Sequence, residues 1–253
     1  MQPVLKVQAL NKTFRIRSGI FKRRLLHVLN DISFCVAEGE TLAIIGETGS
    51  GKSTLARVLA GAEIADSGQI LLGSATIEDD GIRELSCRHI RLIFQDSNRS
   101  LNPGLTIGDI LDDCLRFNTL LSAKQRLVKI KETLIKVGLL ADHQEYYPHM
   151  FSGGQLQRIA LARAIILDPK VLVLDEALSS LDPSVRAQIV NLLLKLQKES
   201  GLSFILITHH LSTVRHMSDQ VMVMHKGKIV EYGDTEAIFN NPNSIITQRL
   251  LNY

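Results

Sequence analysis

Short apolar runs alternate along this chain with stretches where apolar residues recur every three or four positions. Residues 41–45, 91–94, 171–174 and 204–207 are apolar almost without a break. That is the pattern of strands covered on both faces, as in a parallel sheet. Near the N-terminus the period is two instead: Leu5, Val7 and Ala9, then Ile32, Phe34 and Val36, face one way with polar neighbours between. Asn11-Lys12 reads as a turn that folds this first strand into Thr13-Phe14-Arg15-Ile16 as a hairpin. Residues 69–72 form a strand after the turn Asp66-Ser67-Gly68, and 221–224 and 229–232 flank Lys226-Gly227 as another hairpin. Helical spacing is predicted over 55–60, 107–115, 123–137, 141–147, 156–167 and 184–200, with Gly61, Asp168-Pro169 and Gly201 as stops. The tail from Asp234 reads as two helices broken at Asn241-Pro242. The expectation is an α/β fold in a single domain, 1–253. Its core, 1–94 and 165–253, is interrupted by a helical insertion at 95–164.

One loop changes the picture from fold to chemistry. Gly46-Glu47-Thr48-Gly49-Ser50-Gly51-Lys52-Ser53-Thr54 fits the pattern G-x-x-x-x-G-K-[ST], and it lies between a predicted buried strand and a predicted helix. Glycines let the backbone turn tightly enough to aim successive N–H groups at phosphate oxygens, and the helix start adds unpaired donors. Lys52 is placed to reach β- and γ-phosphates and the Ser53 hydroxyl to ligate Mg²⁺. Three apolar strands then deliver polar residues at their C-terminal ends: Gln95, Asp175-Glu176 and His209. Ligands of open parallel sheets bind at that edge, so these side chains are expected to converge on the same phosphate. Taken singly, an acid pair after a strand or one histidine is a weak signal; the ordered set is a strong one.

Composition narrows the remainder. A net charge of +3 and a pI near 8.8 are too mild for a nucleic-acid face, so no nucleic-acid partner is expected. Cys35, Cys87 and Cys114 are scattered, which suits free thiols and predicts neither disulfide nor iron–sulfur cluster. No apolar run approaches the roughly 20 residues of a membrane helix, and the charged, polar N-terminus does not look like a signal peptide. The basic run Arg15, Arg17, Lys22, Arg23, Arg24 is either a solvated loop or a contact for lipid headgroups or a partner. Phe14 is either a core residue or an aromatic offered to adenine.

The order Gly46 to Thr54, Gln95, Ser152-Gly153-Gly154-Gln155, Asp175-Glu176, Ser179-Ser180-Leu181-Asp182 and His209 resembles the ATP-binding subunits of ABC transporters along essentially the whole chain. Gln95-Asp96 with Ser100-Leu101-Asn102-Pro103 is similar to the peptide/nickel importer class. The residues before Val28, Tyr146-Tyr147-Pro148-His149-Met150 and 218–225 resemble the second-ATPase subgroup of bacterial Sap peptide-transport systems. The resemblance implies a P-loop NTPase core with an N-terminal antiparallel β subdomain and a helical subdomain carrying the SGGQ signature. It also implies roles. Ser53, Gln95 and, through water, Asp175 would hold Mg²⁺; Glu176 would polarise the attacking water; His209 would bond the γ-phosphate; Phe14 would stack on adenine.

Ser152 to Gln155 would serve the ATP of the opposite subunit in a head-to-tail dimer, with a sister ATPase or a second copy of the chain. Further implied partners are two transmembrane permease subunits and, indirectly, a periplasmic substrate-binding protein, with the chain peripheral on the cytoplasmic face of the inner membrane. The competing expectation is a soluble ABC ATPase of an enzyme complex, such as phosphonate carbon–phosphorus lyase. Three departures stand out: His210 where the family usually has an acid, Phe151 for the commoner Leu, and Ser97-Asn98-Arg99 without the usual proline.

Overall fold

The computed structural model describes residues 3–17, 23–73, 75–77, 89–94 and 101–251. Six strands form the central sheet: β3 (Thr41–Ile45), β6 (Ile90–Phe94), β7 (Val171–Asp175), β8 (Ser203–Ile207), β9 (Gln220–His225) and β10 (Lys228–Asp234). Their order is β10-β9-β3-β8-β7-β6, parallel except for the β9–β10 hairpin. A second, antiparallel sheet has the order β2-β1-β4-β5, with β1 (Pro3–Arg17), β2 (Arg23–Ala37), β4 (Ser67–Leu72) and β5 (Ala75–Ile77).

Alternation along each parallel strand sends neighbours to opposite faces, and both faces are dry. Val171 and Val173 join Leu42, Ile44, Ile205 and Ile207 in a core shared with the antiparallel sheet and with α1 (Lys52–Leu59). Leu172 and Leu174, with Phe204 and Leu206, face the other way into a core built with helices. Those helices are α2 (Ile107–Asn118), α3 (Ala123–Lys136), α4 (Gly153–Ile165) and α5 (Pro183–Ser200). A smaller cluster under β3 and β9 includes Val214 of α6 (Leu211–Met217) and Ile238 of α7 (Thr235–Asn240); α8 (Ile245–Leu250) ends the described chain.

The antiparallel sheet differs from the sequence expectation at Asn11-Lys12. No turn occurs there, and β1 runs through it as one strand paired to β2 from Pro3↔Ala37 to Arg17↔Arg23. The turn-like residues mark a bulge instead. Ala9 (φ 47°) and Asp31 (φ 55°) take left-handed conformations, and Asn11 stitches them by donating to Ala9 O (2.7 Å) and accepting from Asp31 N (3.0 Å). Arg15 and Arg24 therefore sit in strands rather than in a loop, whereas Lys22 lies outside the described residues.

Helical expectations change as well. The stretch 141–147 is only a 3-10 turn, Ala141–Glu145. Helix α4 starts at Gly153, three residues earlier than the periodicity suggests, because Ser152 caps it. Helix α6 has no counterpart in the sequence reading; at seven residues it is too short for a periodic signal.

Candidate nucleotide site

Parallel register lines up the ends of three central strands. Ile44 pairs with Ile207, and Ile207 in turn with Asp175, so the phosphate loop, the acid pair and Thr208-His209 leave the sheet along one edge. Phe94 pairs with Asp175 on the far side of β7, but Gln95 itself lies outside the described residues.

The loop is shaped by close approaches that only glycine allows. At Gly46 (φ 149°) a Cβ would stand 2.1 Å from Met224 O of β9; at Gly51 (φ 107°) it would stand 2.5 Å from Val28 O of β2. Ser50 is buried, with its carbonyl accepting from Gly227 N (3.0 Å) in the β9–β10 turn, while Glu47, Thr48 and Gly49 form the exposed rim. Glu47 Oε2 lies 3.4 Å from His225 Nδ1. Gly51 opens α1 without any side-chain cap, and the first turn carries no acid. Helices α2, α3 and α4, by contrast, each begin with a capping box. An uncapped, glycine-shaped helix start offers backbone donors to an anion, so the residues present fit a polyphosphate. Thr54, half-buried, follows in the first turn.

Lys52 folds back over the cradle, donating to Gly46 O (2.7 Å), Glu47 O (2.9 Å) and Ser50 Oγ (3.3 Å). Burial lowers its pKa, while Glu176 and Asp175 pull it the other way. Ser53 Oγ donates to Asp175 Oδ1 at 3.0 Å. Burial raises the pKa of Asp175, and that hydrogen bond partly opposes the rise. A hydroxyl and a buried carboxylate, both hard oxygen donors on adjacent elements, suit a magnesium ion with its retained waters.

Glu176 departs from strand geometry: its φ is 52°, an uncommon conformation for a side chain of this size. Its N–H donates to Ile207 O (2.9 Å), which fixes the acid against the end of β8. One carboxylate oxygen, Oε2, is approached twice, by the Ser179 hydroxyl, which donates to it, and by His209 Nδ1 at 3.0 Å. The His209 and His210 rings lie 4.2 Å apart. Burial, then Arg186 and His209, hold His210 below the ordinary histidine value, with Glu176 opposing. The departure at His210 therefore favours a neutral ring beside His209.

The signature residues occupy a different helix start. Ser152 Oγ accepts from Gln155 N (3.4 Å) and Gln155 Oε1 from Ser152 N (3.0 Å), with Ser152 and Gly153 exposed. Gly154 faces Val185 of α5, where a Cβ would come within 3.1 Å. Three residues on, buried Gln157 donates to Ala177 O (3.0 Å), linking α4 to the segment that follows Glu176. Phe14 is partly exposed on β1, opposite Leu26 of β2. Leu26 is two residues from Val28, whose carbonyl abuts Gly51, a span of about 7 Å along the strand. Lys12 and Ser179, which touch Phe14 and Glu176, were not singled out from sequence for those contacts. The S-x-x-Q spacing at 152–155 is the capping-box signal that places the start of α4.

A phosphate loop with an acid pair and a histidine along one edge of a parallel sheet defines a P-loop ATPase. Residues 29–179 match the profile of the ABC transporter family, and the chain belongs to that family. It is 49% identical over 251 residues to the putrescine export system ATP-binding protein SapF of Escherichia coli K12, covering 99% of this chain and 93% of that one. The same figures hold for the peptide transport system ATP-binding protein SapF of Shigella flexneri. The dipeptide transport ATP-binding protein DppF of E. coli K12 is 45% identical over 253 residues, 99% of this chain and 76% of the relative. Among solved structures, CbiO1 of Clostridium perfringens, part of the ABC transporter complex CbiONQ, superposes with a TM-score of 0.80 at 30% identity, covering 95% of this chain and 92% of that one. A dimeric ATP-binding cassette in a post-hydrolysis state with ADP and Pi gives 0.77 at 25% identity, covering 91% and 98%. The chain is thus an ATPase subunit of an ABC transport system. No helix among the described residues is long and apolar enough to cross a membrane.

Proposed function

We propose that this chain is the motor of a bacterial peptide importer, seated peripherally on the cytoplasmic face of the inner membrane against two transmembrane permease subunits. A sister ATPase, or a second copy of the chain, completes each nucleotide site, and a periplasmic binding protein supplies substrate indirectly. The observation that carries the motor reading is the hydrogen-bonded edge of Ser53, Asp175, Glu176 and His209 beside the phosphate loop. Peptide as substrate is supported by the names of the relatives at 45–49% identity.

In this reading Lys52 leaves the loop carbonyls for the β- and γ-phosphate oxygens, and Phe14 stacks on adenine. Ser53 and Gln95, with Asp175 through water, would hold Mg²⁺, which would supply positive charge against the phosphate oxygens. Glu176 orients and polarises the attacking water, and His209 bonds the γ-phosphate. Residues 95–164 act as the arm that carries Ser152, Gly153, Gly154 and Gln155 to the partner's ATP. Replacing Glu176 with Gln lowers steady-state hydrolysis by about 10²- to 10⁴-fold, the usual worth of a positioned base; unchanged turnover removes Glu176 from that role.

A second reading, export, is favoured by the name of the E. coli K12 relative. Co-purification from the native cell followed by reconstitution into vesicles separates the two. With ATP on the motor side, an importer moves labelled peptide from the opposite side toward the motor. Transport of putrescine away from the motor side establishes export instead. An eluate containing soluble enzymes and no polytopic subunit overturns both.

A further inference from the structure

Among the described buried residues of the antiparallel sheet, Lys12 is the charged one; its buried neighbours there are apolar. Its ammonium donates to Ile64 O (2.6 Å), pairs with Glu63 Oε1 (3.0 Å) and lies 3.7 Å from Asp66 Oδ1. Asp66 uses its other oxygen to accept from Thr13 N at 2.6 Å. The ammonium is therefore fixed in place, with only a tenth of the side chain exposed. It stands 5.1 Å from the centroid of the Phe14 ring, over its face. A cation at that range is held by the negative face of the ring quadrupole, which anchors the ring in return. Glu63, Ile64 and Asp66 belong to the loop that follows α1, so the same ammonium joins the Phe14 ring to the helix that begins in the phosphate loop.

We propose that Lys12 is a positioning residue for nucleotide recognition: it grips one face of Phe14 and presents the other to the base. The proposal rests on the reading in which Phe14 stacks on adenine. One ring face is committed to a fixed cation and Phe14 is only partly buried, so in this reading the base takes the remaining face. A stacked base is recognised by its π surface, which makes this device sensitive to the presence of a base and indifferent to the phosphates.

Steady-state hydrolysis by the full chain, with inorganic tripolyphosphate as a base-free competitor, tests the inference. Lys12→Met is expected to raise KM for ATP about fivefold, the order of a partly desolvated cation–π contact, leaving kcat and the tripolyphosphate inhibition constant unchanged. Lys12→Arg, which keeps the charge, stays near wild type. Phe14→Ala raises KM by itself, and adding Lys12→Met to it produces no further change. If Phe14→Ala leaves KM unchanged, the stacking reading fails and the inference falls with it. If Phe14→Ala raises KM and Lys12→Met does not, the inference alone is overturned. A parallel rise in KM and in the tripolyphosphate constant assigns Lys12 to bracing the phosphate helix and also overturns it. Where Lys12→Met melts low because Glu63 is left unpaired, Lys12→Met with Glu63→Gln removes both charges and carries the same expectations.

Discussion

Asp175 shows what the site costs the fold at the scale of one residue. Burial raises its pKa, so its protonated form is the one the folded chain favours. The corresponding stability is fully present below the ordinary carboxylate range and is lost as pH rises through the raised value. Wherever the carboxyl is ionised, the chain holds a charge at a place where burial favours the neutral group. In metal-free, nucleotide-free buffer at pH 7, Asp175→Asn is expected to melt above wild type, the gap narrowing as pH falls toward the carboxylate range. The same variant loses hydrolysis. A lower melting temperature at pH 7 would show that the Ser53 hydrogen bond outweighs the burial. Residue types in order were enough to nominate Ser53, Asp175, Glu176 and His209, because few other chemistries need that set. They were not enough to show that Ser179 and His209 meet at one oxygen of Glu176, since that depends on its left-handed backbone.

Elements were legible where one period dominates. The parallel strands are covered on both faces, so their unbroken apolar runs announce them, and α5 ends at Gly201 in the left-handed conformation expected of a helix stop. Legibility failed where side-chain chemistry overrides period. Asn11 has the composition of a turn and serves as a bulge stitch; Ser152 caps a helix whose apolar pattern begins only later. Gln157 was lost from view inside an apolar run, yet its amide is the polar tie from α4 to Ala177. Replacing it with Leu strands a buried carbonyl and is expected to cost about 1–3 kcal/mol in denaturant unfolding. A loss below ~0.5 kcal/mol would mean that Ala177 O finds another donor.

At the scale of the whole molecule, the helices of 107–165 share one apolar core with a face of the central sheet, which packs the signature helix in the same layer as the apolar side chains of β7. An arm packed in that way suits a site completed by another subunit. Light scattering is the corresponding check: Glu176→Gln with ATP is expected to double its mass, and ADP to leave it unchanged. A monomer at saturating ATP would count against the homodimer and leave the sister ATPase. At a hundred times Kd, ATP adds about 2.7 kcal/mol to stability by mass action.

The carbonyl of Val28 lies directly against Gly51, while the next contacts of the same loop run to Met224 and Gly227. The phosphate cradle is therefore wedged between the edge of one sheet and the end of the other before any nucleotide arrives. Its shape is set in advance, so little chain entropy remains to be lost when phosphates dock. Docking of phosphates is then expected to move the Lys52 side chain, now bonded to Gly46 O and Glu47 O, more than the backbone of the loop.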